Sequence, residues 1–127
     1  MRDSNCFFCG IAEDMKVAEN ELCFAMRDGF PVSEGHTLII PKRHVADYFD
    51  LTDEEIMAMQ TMMRELKVKL DEELSPDGYN VGINVNEAAG QTVFHVHMHL
   101  IPRYHGDVEQ PRGGVRGVIP SKRDYRK

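Results

Sequence analysis

Two hydrophobic periods divide this chain into strands and a helix. Short apolar runs at residues 22–27, 37–41, 80–85 and 93–102 predict four β-strands, and a shorter run around Val17 predicts a fifth. Between the second and third of the long runs, apolar residues instead recur every three or four positions, which predicts one long helix. Antiparallel strands with a segregated helix are typical of an α+β domain.

Local signals mark both ends of the predicted helix. Thr52 is followed three residues later by Glu55, which is the spacing of a capping box. The segment 75–78, Ser-Pro-Asp-Gly, ends the helix. The apolar positions between these signals are Ile56, Met59, Met63, Leu66, Leu70 and Leu74. We interpret this stripe as core or as a dimer interface.

Composition limits the possible classes of protein. A length of 127 residues suits one domain, and a net charge of -6 argues against broad binding to nucleic acid or to anionic membranes. Three cysteines are too few for a disulfide framework, so a reducing compartment is expected. No apolar run approaches the length of a membrane span. We therefore expect a cytoplasmic protein with no nucleic-acid or membrane partner.

Three histidines at alternate positions carry the strongest chemical signal. His95, His97 and His99 lie in one predicted strand, so their side chains share a face while Val96 and Met98 face the core. Imidazole serves as nucleophile, proton carrier or metal ligand, and this pattern points to a reaction at phosphorus. Two alternatives stay open, namely buried structural histidines and a three-histidine zinc site.

The loop before this strand is suited to an anion. Residues 84–94 turn through Ala-Ala-Gly, and small residues let backbone amides approach a phosphate closely. Gln91 and Thr92 add side-chain donors beside the histidines, where they can stabilise charge that develops on a phosphoryl group. An ordinary hairpin would also accept such a loop.

Together these segments resemble the histidine-triad (HIT) superfamily of nucleotide hydrolases and transferases. Residues 90–103 are similar to its signature, residues 35–44 to a second conserved block, and residues 24–28 to its ribose-binding strand. The resemblance implies an antiparallel sheet of about five strands with one long and one short helix. Gln-Thr-Val before the triad, Pro-Arg after it and the segment 111–120 are most similar to the diadenosine polyphosphate hydrolase branch.

The resemblance also implies a role for individual residues. His97 would attack the α-phosphorus and form a nucleotidyl-histidine, while His99 and His36 would hold and protonate groups around it. The nucleotide would be held at the ribose by Asp28, at the phosphates by Asn84, Gly90, Gln91 and Thr92, and at the base by Met26, Leu38 and Phe8.

A Cys-x-x-Cys motif near the amino terminus forms a second constellation. Cys6 and Cys9 can supply two thiolates to zinc, remain a buried thiol pair or form a redox pair. Prokaryotic members of the superfamily complete such a motif with two histidines, which here are His44 and His95. The resemblance therefore implies a closed structural zinc site that leaves His97 for catalysis.

The chain ends in a basic segment on an acidic protein. We expect a catalytic domain over residues 1–106 and a tail over residues 107–127 that packs on the domain or on a dimer partner, with Arg112 and Arg116 contacting distal phosphates. The leading interpretation is a homodimeric hydrolase of dinucleoside polyphosphates. The alternatives are a nucleoside phosphoramidase or nucleotidyl transferase, and a nucleotide-binding regulatory module.

Overall fold

A five-stranded antiparallel sheet and one long helix form the fold. The computed structural model describes residues 5–125, so Arg126 and Lys127 of the expected tail lie outside it. The elements are β1 (Lys16–Glu19), β2 (Cys23–Arg27), β3 (Thr37–Pro41), α1 (Asp53–Leu74), β4 (Gly78–Ile83) and β5 (Met98–Arg103). The strand order is β1-β2-β3-β5-β4, which leaves β1 and β4 at the sheet edges. The expected α+β fold is confirmed.

Helix α1 begins and ends where the sequence signals predict. The Thr52 hydroxyl accepts a hydrogen bond from the Glu55 amide, and the Glu55 carboxylate accepts one from the Thr52 amide, so the capping box is complete. Arg43 also donates two hydrogen bonds to Glu55, at 2.8 and 2.9 Å, which ties the start of the helix to the segment after β3. Ser75 adopts a left-handed conformation with φ of 47° and ends the helix.

The sheet has a hydrophobic cluster on each face, and His97 and His99 lie on the face away from α1. Cys23, Ala25 and Ile39 face α1 and pack in one cluster with Met59 and Leu66. The alternate residues of the same strands pack on the opposite face in a second cluster that consists of Phe8, Phe24, Met26, Leu38 and Ile40. As predicted, Val96, Met98 and Leu100 are buried in the cluster against α1, so the side chains of His97 and His99 belong to the opposite face.

Strand β5 is shorter than the sequence pattern indicates. Its pairing with β3 extends only from Leu100 to Met98, whereas the predicted strand began at residue 93. The next positions of β3 include Pro41, which has no amide hydrogen to donate to the ladder. The Pro41 carbonyl instead accepts a hydrogen bond from the His95 ring at 2.7 Å. His95 and His97 therefore precede the regular strand.

The remaining helical segments are short 3-10 turns. They lie at Phe8–Gly10, Glu13–Met15, Tyr48–Asp50, Glu87–Ala89, Gly114–Val118 and Pro120–Lys122. Within residues 5–125, no helix is both long enough and apolar enough to cross a lipid bilayer.

Candidate active site and candidate metal centre

Backbone contacts fix the orientation of His97. Its Nδ1 atom lies 3.0 Å from the carbonyl oxygen of His95. A carbonyl oxygen only accepts hydrogen bonds, so in the neutral ring Nδ1 carries the proton and the Nε2 lone pair is available. The ring is packed between Phe8 and His99, with centroid distances of 5.1 Å to each. This is the protonation that a histidine nucleophile requires.

A hydrogen-bonded chain orients the two neighbouring histidines. The amide of Val32 donates to Nδ1 of His36 at 3.1 Å, so a neutral His36 carries its proton on Nε2. This Nε2 lies 2.9 Å from Nδ1 of His99 and donates to it. A neutral His99 then carries its own proton on Nε2, where it can donate to a ligand. In the neutral rings, the chain leaves the proton of His99 on Nε2, whereas the contact with the His95 carbonyl leaves Nε2 of His97 unprotonated.

Burial lowers the pKa of both His36 and His99 and so favours their neutral forms. Desolvation lowers the pKa of His99 to about 4, with smaller contributions from His97 and His36. Desolvation also lowers the pKa of His36, although the carboxylate of Asp28, 3.5 Å from its Nε2, opposes that shift. Asp28, His36 and His99 lie close enough to share a metal ion, but the proton on Nε2 of His36 occupies the position that a metal would need.

A cavity of about 400 Å³, which we call the catalytic cavity, lies in front of His97 and His99. Its apolar wall includes Phe8, Met26 and Leu38, and its polar wall includes the expected residues Asp28, Asn84, Gly90 and Thr92. Within residues 5–125, the side chains of Asn84 and Thr92 make no hydrogen bond. The cavity thus combines an apolar slot, a carboxylate and polar groups beside the imidazole of His97. Such a slot suits a base, a ribose and a phosphate in sequence.

Gln91 occupies a different place from the one the sequence suggests. Its side chain is buried, with an exposed fraction of 3%, and it does not line the catalytic cavity. Its amide nitrogen donates to the carbonyls of Ala46 and Val93, and its oxygen accepts from the amide of Asn86. These three bonds join the segment after β3 to the loop at Gly90. In this arrangement Gln91 holds the loop, and the loop contributes Gly90 and Thr92 to the cavity.

The Cys-x-x-Cys motif meets the two expected histidines. Ligand atoms of Cys6, Cys9, His44 and His95 all lie within 4.8 Å of one another. Sγ–Nδ1 distances are 3.3 Å for Cys6–His95, 3.4 Å for Cys9–His44 and 3.5 Å for Cys9–His95. Sulfur at about 2.3 Å and nitrogen at about 2.0 Å from a tetrahedral zinc lie ~3.5 Å apart. The four residues therefore fit a zinc ion.

The tautomer of His95 also suits a metal. Its Nε2 donates to the Pro41 carbonyl, so the lone pair of Nδ1 points at the two thiols. A second-layer hydrogen bond of this kind is typical of histidines that bind metals. Phe8 lies between the two cysteines in sequence and packs edge-on against His95 at 5.9 Å. The candidate metal centre is therefore contiguous with the wall of the catalytic cavity.

The two tail arginines lie apart from the catalytic cavity. Arg116 donates to the carbonyls of Lys122 and Arg123, and its guanidinium lies 5.3 Å from the ring centre of Tyr125. Arg112 is exposed and does not line the cavity. In this structure Arg116 contacts other residues of the tail, and neither arginine lines the catalytic cavity.

Sequence reasoning missed the amide of Val32 and the rim of the catalytic cavity. The rim is formed by Phe7, Met15, Gly29, Phe30 and Val93. Phe30 has an exposed fraction of 91%, and an apolar residue beside a proline in a loop was the available signal. A backbone donor leaves no such signal, because every residue except proline has one.

The comparisons with known proteins agree with this geometry. A family model described as HIT domain matches residues 10–106. An uncharacterized 16.1 kDa HIT-like protein of Mycoplasma pneumoniae is 46% identical over 108 residues, covering 82% of this chain and 75% of that protein. An adenosine 5'-monophosphoramidase of Schizosaccharomyces pombe is 37% identical over 103 residues, covering 78% and 74%. An adenylylsulfatase of Arabidopsis thaliana is 32% identical over 108 residues, covering 82% and 55%.

Solved structures of histidine triad proteins share this fold. A HIT family protein of Bacillus anthracis superposes with a TM-score of 0.77 at 42% identity, covering 82% of this chain and 77% of that one. A Zn-bound histidine triad family protein of Mycobacterium smegmatis has a TM-score of 0.75 at 37% identity, covering 84% and 80%.

Proposed function

Because the chain belongs to the HIT domain family, whose model covers residues 10–106, we propose that it is a nucleotide hydrolase acting through a covalent intermediate on His97. One observation carries the proposal. In its neutral form His97 has a free Nε2 lone pair, and it lines a cavity that also contains Asp28 and the side chains of Asn84 and Thr92, which make no hydrogen bond within residues 5–125. This grouping supports a nucleophile, a ribose acceptor and phosphate donors in one site.

The proposed reaction has two steps. The Nε2 lone pair of His97 attacks the α-phosphorus, and the bond to the leaving group breaks with its electron pair. Water then attacks the same phosphorus, loses a proton to solvent, and the phosphorus–nitrogen pair returns to His97. A nucleoside monophosphate and the leaving group are released.

The neighbouring groups stabilise the phosphoryl oxygens. The Nε2 proton of His99 and the side chains of Asn84 and Thr92 are placed to donate to charge that develops during attack. Asp28 accepts from the ribose hydroxyls, and Met26, Leu38 and Phe8 enclose the base. The His95 carbonyl accepts from Nδ1 of His97 at 3.0 Å and stabilises the ring when it becomes cationic.

The proposed substrates are dinucleoside polyphosphates such as diadenosine tetraphosphate. The similarity of the triad segment to that branch of the superfamily supports this choice. A phosphoramidase or nucleotidyl transferase activity is the second candidate, because the relatives from fission yeast and Arabidopsis are named for adenosine phosphoramidate and adenylylsulfate. The step that forms the nucleotidyl-histidine is the same. A phosphoramidase differs in the leaving group, and a transferase in the acceptor that replaces water in the second step.

Parallel product assays test the proposal. Diadenosine tetraphosphate, diadenosine triphosphate and adenosine 5'-phosphoramidate are supplied to the wild type, to His97→Ala and to His105→Ala. His105 is exposed and lies outside the site, so its variant is a matched control. We expect release of AMP that falls at least ~10³-fold in His97→Ala and is unchanged in His105→Ala. Nucleotide binding without turnover dependent on His97 would contradict a hydrolase and favour a regulatory binding module.

A structural zinc ion is part of the proposal. Cys6, Cys9, His44 and His95 would hold it, as the distances and the tautomer of His95 support. When bound, a four-coordinate zinc without an open position supplies structural cohesion. It would fix the amino-terminal segment, and with it Phe8, against the catalytic cavity.

We further propose that the protein is a homodimer in the cytoplasm. The outer side of α1 supports a dimer, since Met57 and Val68 have exposed fractions of 68% and 56% and lie three helical turns apart on the same side. Two exposed apolar side chains on one helix face suit contact with a second copy of that face.

A further inference from the structure

A second cavity adjoins the reaction centre on the side away from the base slot. It has a volume of about 360 Å³, and we call it the distal cavity. Asn84 and His99 line both the distal and the catalytic cavity. His99, whose ring centre lies 5.1 Å from that of His97, therefore borders both cavities.

The walls of the distal cavity suit an uncharged ring. Val32, Val81, Ile101 and Val115 form its apolar part, and no Lys, Arg, Asp or Glu occurs among the described residues that line it. Asn80 adds an amide, whose oxygen accepts from Arg103 and whose nitrogen remains a donor. Apolar walls with a few polar groups are typical of sites for organic ligands.

The tail builds one wall of the distal cavity. Gly114 and Val115 line it, and the preceding Gly113 has φ of 93°, a conformation that favours glycine. A side chain at Gly113 would collide with the Arg123 backbone, so the tail is closely folded here. The hydrogen bonds from Arg116 to the backbone of residues 122 and 123 hold this fold together. The wall is thus an ordered part of the molecule.

We propose that the distal cavity binds the second nucleoside of a dinucleoside polyphosphate. The inference rests on the proposed function, since it assigns the leaving-group side of that reaction. The two cavities are similar in volume, at about 360 and 400 Å³, and they meet at the residues that surround the scissile phosphate. One nucleoside occupies the catalytic cavity, and the phosphate chain passes Asn84 and His99 to the second nucleoside. The tail thereby determines selectivity for the leaving group.

A paired substitution in the tail tests this assignment. Val115→Asp places a charge in the distal cavity, and Val118→Asp places the same charge on the same 3-10 turn outside it. Val115 and Val118 have exposed fractions of 62% and 80%, so neither change disturbs a core. Each variant is assayed with diadenosine tetraphosphate and with adenosine 5'-phosphoramidate, whose leaving group is ammonia and does not reach the cavity.

We expect Val115→Asp to raise KM for the dinucleotide by about tenfold, equivalent to about 1.4 kcal/mol, and to leave KM for the phosphoramidate unchanged. Val118→Asp should change neither value. Equal effects of Val115→Asp on both substrates, or no effect on either, would overturn the proposal.

A binding measurement separates this proposal from the catalytic one. Calorimetry on His97→Ala compares diadenosine tetraphosphate with AMP, with and without Val115→Asp. The dinucleotide should bind more tightly than AMP, and Val115→Asp should remove the difference. If the dinucleotide binds no better than AMP, the distal site is refuted even when the wild type hydrolyses its substrates. Failure of catalysis alone would leave the binding difference intact.

Discussion

Individual histidines in this protein owe their chemistry to the atoms that hold each ring. Carbonyl oxygens fix the proton of His97 on Nδ1 and that of His95 on Nε2, so each ring presents its lone pair to a different site. At His36 the Nδ1 atom instead accepts a hydrogen bond from the Val32 amide, so a neutral His36 carries its proton on Nε2. Neighbouring imidazoles can thus serve as nucleophile, donor and metal ligand within one small region.

Burial of His99 predicts a dependence of stability on pH. Its pKa is about 4 in the folded protein and close to 6.5 in the unfolded chain. Between these values the unfolded state binds a proton that the folded state does not, so stability falls as the pH falls. The contribution is fully present well above pH 6.5 and is lost progressively as the pH falls from 6.5 towards 4.

Denaturant unfolding of wild type and His99→Asn at pH 7 and pH 5 measures this contribution. The free energy of unfolding should fall more steeply on acidification in the wild type than in the variant. Both proteins keep the other histidines and the cysteines, so the difference reports His99 together with its hydrogen bond to His36. Parallel losses in the two proteins would show that His99 titrates normally.

The sequence contained the titratable residues but few of the contacts that control them. The alternation of His95, His97 and His99 could be seen directly, and so could their separation from the buried Val96 and Met98. The hydrogen bonds of Gln91 could not, because the carbonyl of Ala46 lies 45 residues away in the chain and only the fold brings it near. From its side chain alone, Gln91 was predicted to donate to a phosphate. In the structure its hydrogen bonds instead join two loops.

Among the elements, the boundaries set by local signals were predictable. The capping box fixes the start of α1, since both of its hydrogen bonds form between residues three positions apart. The start of β5 depends instead on its neighbour, because pairing with β3 stops before Pro41. A period of two predicts which face a residue takes, but the length of a strand depends on its partner in the sheet.

The amino-terminal segment provides a test of the metal centre. Purified wild type should contain about one zinc per chain, and Cys6→Ser should lose it, because one thiolate of the four-ligand set is removed. Metal that binds only the folded state stabilises it by about 4 kcal/mol when its concentration is a thousand times Kd. The melting temperature of Cys6→Ser should therefore fall.

Cys23→Ala is the matched control for this experiment. Cys23 is buried in the cluster against α1 and is not part of the metal cluster, so its variant should retain the metal. Elemental analysis after purification without chelators provides the measurement. Wild type that contains no metal, with Cys6→Ser equally stable, would refute the zinc site.

At the scale of the whole molecule, the proposed dimer predicts the molecular mass in solution. It also predicts that a substitution on the exposed side of α1 lowers that mass. Light scattering at micromolar concentration should give twice the chain mass. Val68→Lys places a charge on the exposed apolar side of α1 and should shift the protein towards monomer. Phe49→Lys changes a more exposed side chain, at 77% against 56% for Val68, away from that helix and should leave the dimer intact. A monomeric wild type, or a Val68→Lys variant that stays dimeric, would refute this interface.

At the scale of the whole molecule, the two faces of the sheet differ in what covers them. Helix α1 covers one face and packs there through Met59, Met62, Leu66 and Leu70, while the other face holds His97 and His99, the catalytic cavity and the candidate metal centre. Both the amino-terminal segment and the tail reach that second face, through Phe8 and through Gly114 and Val115. The histidines thus lie between two segments from opposite ends of the chain.

Trapping the nucleotidyl-histidine tests the proposed role of His97 most directly. Wild-type protein is mixed with diadenosine tetraphosphate or adenosine 5'-phosphoramidate in single-turnover amounts, quenched on the timescale of turnover, and mapped by peptide mass spectrometry. We expect a nucleotidyl group on His97 that forms and decays as AMP appears, and that is absent in His97→Ala. Full conversion to AMP with no modified His97 at any time, or turnover that survives His97→Ala, would contradict it.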